Sequence, residues 1–131
     1  MTHHRRTIDA SGAPAAVGPY SQAVLSNGLL FCSGQIPLDP ESDQLIGGGA
    51  GEQAVRCLQN LAAVCESAGA SLSDAVRLTV FLTDLDGDWA DVNQAYESFF
   101  DSDPPARAAI GVAALPRGAR VEIDAVVALP D

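Results

Sequence analysis

The sequence predicts a single α+β domain in which two helices lie on one face of a mixed β-sheet. Two stretches place apolar residues at spacings of three and four, and the stretch between them alternates apolar and polar residues. A third signal is Asn27–Gly28, which separates two short apolar stretches. With 131 residues, of which 47% are hydrophobic, the chain is long enough for one core, and residues 1–7 are expected to form a loose N-terminal tail.

The first predicted element is a β-hairpin formed by Gln22–Leu25 and Leu29–Ser33. Asn27–Gly28 supports this hairpin because both residues readily adopt the positive φ angles of a type I′ turn. The stretch Pro37–Gly51 contains three consecutive glycines, and we expect it to be a loop that leads into a helix.

Two helices and one strand are predicted for the middle of the chain. Glu52–Ala68 carries an apolar stripe and is followed by Gly69, a residue type that commonly ends helices. Asp88–Phe100 has an aromatic stripe, which we interpret as core, and its acidic N-terminal end suits the helix dipole. Between the helices, Ala75–Leu82 alternates as a strand does. The predicted buried face of this strand consists of Val76, Leu78, Val80 and Leu82.

The C-terminal part is predicted to be a second hairpin, formed by Arg107–Ala113 and Arg120–Leu129. In the second of these strands, neither face is fully polar over its later half. Because the two helices cover only one face of the sheet, a partly apolar second face indicates burial by another subunit.

The composition excludes several classes of protein. The net charge is −10 and the chain contains no lysine, which excludes a Schiff-base lysine, ordinary pyridoxal phosphate chemistry and a phosphate-binding P-loop. The same acidity disfavours nucleic acids and membrane surfaces as partners, because both attract clustered cations. No stretch approaches the roughly 18 apolar residues of a membrane-spanning helix.

Neither the histidines nor the cysteines predict a metal site. His3 and His4 are the only histidines, and we interpret them as solvated residues of the tail. Cys32, Cys57 and Cys65 form no CxxC pair, so they are expected to be reduced thiols, buried as small apolar residues in a cytoplasmic protein.

Arg107 is the first candidate for a binding residue. Ala109 and Gly111 share its predicted face and leave room beside its guanidinium, which suits either an ion pair or a bound carboxylate. On the predicted hairpin register, Arg107 lies diagonal to Asp124 and about 13 Å along the strand from Glu122, so Glu122 does not neutralise it within one subunit. A shift of one residue in the register would place Arg107 on the other face.

Two segments near turns supply the other candidates. Tyr20 follows the rigid Gly18–Pro19 pair, where it would either line a pocket and donate its hydroxyl or simply pack half-buried. Ser33 and Gly34 come at the end of a strand. The glycine would let a ligand approach the backbone and Ser33 would hydrogen-bond it, although an ordinary strand end explains the same residues.

Taken together and in order, these segments resemble the RidA (YjgF) family. The matching stretches span nearly the whole chain and include Val17–Ala23, Ser33–Pro37, Cys57–Leu61, Val92–Asn93, Pro105–Arg107 and Val121–Ile123. The resemblance implies a chorismate-mutase-like (bacillus type) α+β fold, assembled as a barrel-like homotrimer with a ligand cleft at each subunit interface. It also implies a hydrolase without metal or cofactor. Such an enzyme deaminates 2-imino acids and their enamine tautomers, such as 2-aminoacrylate, to 2-keto acids and ammonia, and so removes reactive by-products of pyridoxal phosphate enzymes.

The resemblance further implies roles for individual residues. Arg107 would bind the substrate carboxylate, and Glu122 would act on the substrate through a water molecule. Tyr20 would be the pocket tyrosine, and Ser33 and Gly34 would form the binding motif beside it.

One position departs from the family pattern, because Ala109 stands in the binding region where many members carry a cysteine. Any contribution of a thiol to rate or substrate range is therefore absent at this position. Two other functions remain open. The first is a non-catalytic module of the same fold that binds a small carboxylate such as a 2-keto acid. The second is an endoribonuclease or translation inhibitor, against which the charge of −10 weighs.

Overall fold

The chain folds as two helices packed on one face of a six-stranded mixed sheet. A computed structural model describes residues 5–100 and 102–130. The elements are β1 (Arg5–Ile8), β2 (Ala23–Ser26), β3 (Leu29–Gln35), α1 (Ala50–Ser67), β4 (Ala75–Leu82), α2 (Leu85–Glu97), β5 (Ala106–Gly111) and β6 (Val121–Ala128). The strand order is β1-β2-β3-β6-β4-β5. The predicted α+β class with two helices on one face is therefore confirmed.

The N-terminal hairpin is confirmed, and a further strand extends it. Asn27 and Gly28 adopt φ angles of 54° and 76°, which bring β2 and β3 together with Ser26 opposite Leu29. The strand β1 pairs antiparallel with β2, so the loose tail predicted over residues 1–7 is wrong for residues 5–7. The strand β1 begins with two arginines and has only one buried residue, so its sequence lacks the apolar alternation that predicts a strand. Charged residues of this kind are common in strands at the edge of a sheet. His3 and His4 lie outside the described residues.

Both helices begin earlier in the chain than predicted. The helix α1 starts at Ala50, and its apolar stripe is buried as expected. The helix α2 is displaced from the predicted Asp88–Phe100 because Asp84 caps its N-terminus, accepting a hydrogen bond from the Gly87 N–H at 3.1 Å. Phe99 and Phe100 pack against the core after the helix has ended, which made the aromatic stripe look longer than the helix.

The predicted C-terminal hairpin is wrong, because β5 and β6 are not neighbours. The strand β6 lies between β3 and β4 and is antiparallel to both, whereas β5 lies at the edge and is parallel to β4. This arrangement follows from their side chains. Every second residue of β6 is a buried apolar residue, which suits a central strand, while the alanine-rich and largely exposed β5 suits an edge.

Strand pairing also decides which side chains share a face. Arg107 pairs with Leu78, whose side chain is fully buried beneath the helices, so Arg107 lies on the helix-covered face. Glu122 pairs with Phe81 on the opposite face. Val76 was predicted to be buried but is 46% exposed, because an irregularity in the pairing between β4 and β6 at this point shifts it out of the alternation.

The face of the sheet away from the helices is uncovered in a single chain. Phe31 on β3 and Ile110 on β5 are 46% and 43% exposed there. On the covered side, Cys32, Cys57 and Cys65 are all buried and free, as predicted. Within residues 5–100 and 102–130, no helix is long and apolar enough to cross a membrane.

Candidate active site

Arg107 is held by three side chains of α2. Its Nη1–H group donates a hydrogen bond to Asn93 Oδ1 at 3.0 Å. Its guanidinium carbon lies 4.7 Å from the ring centroid of Trp89 and 4.7 Å from that of Tyr96. Residues 89, 93 and 96 recur at spacings of four and three, so they form one stripe on the helix beside β5. The exposed guanidinium is thus fixed at one place on the surface.

No acidic side chain neutralises Arg107 within the part of the chain that the structure describes. The ion pairs there join Arg117 to Asp43 and Arg120 to Asp88. A cavity of about 720 Å³ opens beside Arg107 and is bordered by Tyr96 and Pro105. Of the two alternatives that the sequence left open for Arg107, the internal ion pair is excluded for the described residues, and the carboxylate receptor remains.

Ala109 lies on the same face of β5 as Arg107 and lines a second, smaller cavity of about 320 Å³. Leu85 and Trp89 form its apolar walls, and Asp86 lies at its edge. Trp89 contacts Arg107 and also borders this space, so the indole lies beside both the guanidinium and the cavity at Ala109.

Tyr20 and Gly34 line another cavity of about 320 Å³, which does not include Arg107. Tyr20 is 53% exposed at its margin. Ser33 fixes the neighbouring backbone, because its hydroxyl donates to Ser21 O at 2.6 Å and its N–H donates to Gln22 O at 2.9 Å. The hydroxyl proton of Ser33 is therefore already used, and only its lone pairs are free to meet a ligand.

Gly34 lies directly against the carboxylate of Glu122. A Cβ atom at position 34 would overlap Glu122 Oε2, and it would lie 2.9 Å from Cδ of the same side chain. Burial, reinforced by the negative charge of Asp124, raises the pKa of Glu122 above its ordinary value. A carboxyl group with a raised pKa near a ligand-sized cavity is suited to accept and return a proton.

The structure separates Arg107 from the other candidates. The prediction that Arg107 shares a face with Glu122 and Asp124 is wrong, because β6 pairs with β4 rather than with β5. Asp124 instead accepts a hydrogen bond from the Thr79 N–H at 3.2 Å, across the β4–β6 pair. Within one chain the candidate residues therefore form two separate groups, one with Arg107 on the helix-covered face and one with Tyr20, Gly34 and Glu122.

The contacts that α2 makes with Arg107 do not follow from the sequence pattern. The predicted core position of the aromatic stripe is confirmed for Tyr96, and Trp89 packs partly buried against the core, but both rings also contact Arg107, and the pattern gives no role to Asn93. The one available signal was Asn93, an amide that lies between two aromatic residues on the same stripe of α2. This stripe cannot be assigned to Arg107 from the sequence, because the pairing of the strands decides that β5 lies beside α2. Among the described residues, no group of three or more His, Cys, Asp or Glu side chains is arranged to hold a metal ion.

Known proteins match this chain in sequence and in fold over almost its whole length. Residues 10–129 match the family model described as Endoribonuclease L-PSP. The chain is 52% identical to the RutC family protein y4sK of Sinorhizobium fredii, with 93% of this chain and 96% of that protein covered. It is 48% identical to the human 2-iminobutanoate/2-iminopropanoate deaminase, with 93% and 88% covered. The crystal structure of Escherichia coli TdcF with bound serine matches with a TM-score of 0.90 and 38% identity, covering 95% of this chain and 99% of that one.

Proposed function

The chain belongs to the Endoribonuclease L-PSP family, which includes the RutC and RidA proteins, and from this premise we propose that it hydrolyses 2-imino acids to 2-keto acids and ammonia. The observation that carries the proposal is an arginine in a cavity with no acidic partner among the described residues, since every 2-imino acid presents a carboxylate. Similarity to the human deaminase supports the same reaction. Enamine tautomers such as 2-aminoacrylate become substrates after protonation at carbon, so the reaction would remove reactive by-products of pyridoxal phosphate enzymes.

The complete site forms between copies of the chain in a homotrimer. Two observations support this arrangement: the two groups of candidate residues are separated within one chain, and the uncovered sheet face exposes large apolar residues such as Phe31 and Ile110. Arg107 of one copy then faces Tyr20, Gly34 and Glu122 of the next copy across a cleft.

Arg107 and Glu122 divide the chemistry between them. The planar guanidinium binds the substrate carboxylate through two parallel hydrogen bonds and places the imine carbon near Glu122. The substrate reacts as its protonated iminium form. The Glu122 carboxylate takes a proton from a water molecule as the water oxygen bonds to the iminium carbon, which leaves the nitrogen as a neutral amine. The Glu122 carboxyl returns this proton to the amine, and the resulting carboxylate takes the hydroxyl proton as the C–N bond breaks, so that a carbonyl forms, ammonia leaves and Glu122 releases its proton to solvent.

The remaining residues bound and orient the substrate. Tyr20 covers the reacting centre with its ring and offers its hydroxyl to the amine nitrogen or to the attacking water. Ser33 accepts a hydrogen bond from the substrate while its own proton holds the backbone beside Tyr20. Gly34 leaves space for the Glu122 carboxylate, and Ala109 borders the space next to the bound carboxylate.

A second candidate function is binding of a small amino or keto acid without turnover. The crystal structure of Escherichia coli TdcF, a relative by fold and sequence, contains bound serine, which favours this candidate. Both functions use Arg107, so only a measurement of turnover separates them.

The test is release of 2-keto acid and ammonia from imines that an amino-acid oxidase generates in situ, compared with the same mixture without the protein. We expect the wild type to accelerate release and Arg107→Ala to reduce kcat/KM by a factor of at least about 100. Arg56→Ala is the matched control, because Arg56 also donates to an asparagine, Asn60, but lies on α1. A wild type that binds a 2-keto acid but releases no product would establish the binding function instead.

A further inference from the structure

Two aromatic rings of α2 contact the Arg107 side chain, and no acidic side chain among the described residues forms an ion pair with it. Here the guanidinium carbon is 4.7 Å from the centroids of both Trp89 and Tyr96, which is within the range of a cation–π interaction. Asn93 accepts one N–H group, at 3.0 Å. The contacts found for Arg107 are thus two neutral rings and one neutral amide.

Tyr96 shows that the ring makes the contact with Arg107 and the hydroxyl does not. The residue is 5% exposed, and its buried hydroxyl has no hydrogen-bond partner among the described residues. A buried tyrosine normally has a partner for this group. The ring also packs on Phe100 with centroids 4.8 Å apart, which fixes the ring plane that Arg107 meets.

Neutral partners hold Arg107 without competing with a ligand. A carboxylate in their place would fix the guanidinium equally well, but it would occupy the donors and cancel the charge that a substrate carboxylate requires. Glu97 borders the same cavity, yet it forms no ion pair with Arg107. The guanidinium has five N–H donors, and only one is used by Asn93, so the remaining donors can bind an acid.

We propose that Trp89 and Tyr96 form an aromatic clamp on Arg107. As positioning residues, the two rings of this clamp hold the guanidinium in one plane and thereby set the affinity for the substrate carboxylate. This inference rests on the proposed function for the identity of the ligand. The two rings act through Arg107 and do not touch the reacting atoms. Their loss raises KM and the dissociation constant of a 2-keto acid, and it changes kcat much less.

The test compares Trp89→Leu with Trp89→Phe, since both keep an apolar side chain and only phenylalanine keeps a ring. The ligand is 2-oxobutanoate, measured by calorimetry, and KM and kcat are measured on the imine. Trp89→Leu is expected to weaken binding about 3- to 30-fold, the range between an exposed and a desolvated cation–π contact, and Trp89→Phe less than about 3-fold. Tyr96→Phe is expected to bind like the wild type, because the hydroxyl has no partner, and Tyr96→Leu is expected to bind more weakly.

A spectroscopic measurement makes the test independent of turnover. In the wild type, ring currents of Trp89 and Tyr96 should displace the Arg107 Nε–H resonance from its usual position, and Trp89→Leu should move it back. Gln94→Ala, next to Asn93 on α2 but on the surface that borders Gly49 and Ser98, is the matched control and should change neither the resonance nor the affinity. If Trp89→Leu leaves affinity and resonance unchanged, or if Trp89→Phe weakens binding as much as Trp89→Leu, the clamp is refuted.

The outcomes for the clamp and for the deaminase are distinguishable. If the wild type binds 2-oxobutanoate and Trp89→Leu weakens that binding, the clamp stands even when no imine is hydrolysed, and only the proposed function fails. If the wild type hydrolyses imines and all four variants match it in KM, only the clamp fails. Should Trp89→Leu not fold, Tyr96→Leu and the resonance of Arg107 in that variant decide in the same way.

Discussion

Replacement of Gly34 by alanine should slow catalysis strongly while the protein still folds. The new Cβ atom would overlap Oε2 of Glu122 and would lie 2.9 Å from its Cδ and 3.2 Å from its Cγ. The glycine does not adopt a positive φ angle, so alanine causes no backbone strain there. The Glu122 side chain must therefore move, and it is half-buried and flexible enough to do so.

The expected magnitudes follow from these contacts. The overlap opposes the native structure by about 1–3 kcal/mol, while the loss of glycine's freedom in the unfolded chain favours it by about 0.4–1 kcal/mol. The net destabilisation is then at most about 2.5 kcal/mol. A carboxyl group that moves by about 1 Å loses most of its value as an acid–base catalyst, so we expect kcat to fall about 100-fold.

The assay is imine hydrolysis together with thermal unfolding, for Gly34→Ala, Glu122→Gln and the double variant. Because alanine acts through Glu122, the double variant should be no slower than Glu122→Gln alone. Gly47→Ala is the control, since no atom lies within 4 Å of a Cβ at that exposed glycine. The reasoning is refuted if Gly34→Ala keeps the wild-type kcat, or if the double variant is about 100-fold slower than Glu122→Gln.

Three further predictions concern titration, a partly buried ion pair and assembly. Because the pKa of Glu122 is raised in the folded protein, its ionisation opposes folding. The Tm of Glu122→Gln should therefore increase relative to the Tm of the wild type as pH rises from about 4 to 7. The same difference in Tm between the two proteins at both pH values would contradict this prediction. Arg120 Nη2 lies 2.7 Å from Oδ1 of buried Asp88, so Arg120→Ala should cost about 2 kcal/mol in urea unfolding. Asp43→Asn, in an exposed pair, should cost less than about 1 kcal/mol, and similar losses would refute the role of burial. Ile110→Glu should reduce the particle mass measured by light scattering while the circular dichroism stays native; an unchanged mass would exclude this face as the subunit interface.

Patterns of local origin were predictable from the sequence, whereas long-range pairing was not. Asn27–Gly28 fixes its own turn, and the stripe of α1 fixes which side of that helix is buried, so both could be derived from neighbouring residues. The alternation in β6 gives two faces but does not specify which strands lie beside it. The hairpin between β5 and β6 was therefore the simplest pairing that the pattern allowed, and it was wrong.

The sequence names candidate site residues, but it does not give their arrangement. The sequence left either an ion pair or a bound carboxylate open for Arg107, and the described ion pairs do not include it. Its actual contacts depend on the parallel pairing of β5 with β4, which brings the strand beside α2. Trp89 and Tyr96 were assigned to the core because an aromatic stripe has the same spacing whether it covers apolar residues or a guanidinium.

The placement of Arg107 and Glu122 on opposite sides of one sheet has a consequence for mixed assemblies. If the cleft forms between copies as proposed, then Arg107→Ala and Glu122→Gln chains that are unfolded together and refolded as one population would yield some clefts with an intact arginine from one parent and an intact glutamate from the other. Random assortment around a threefold ring would restore about one cleft in four. Two inactive proteins would then complement each other, which a cleft built within a single polypeptide could never allow.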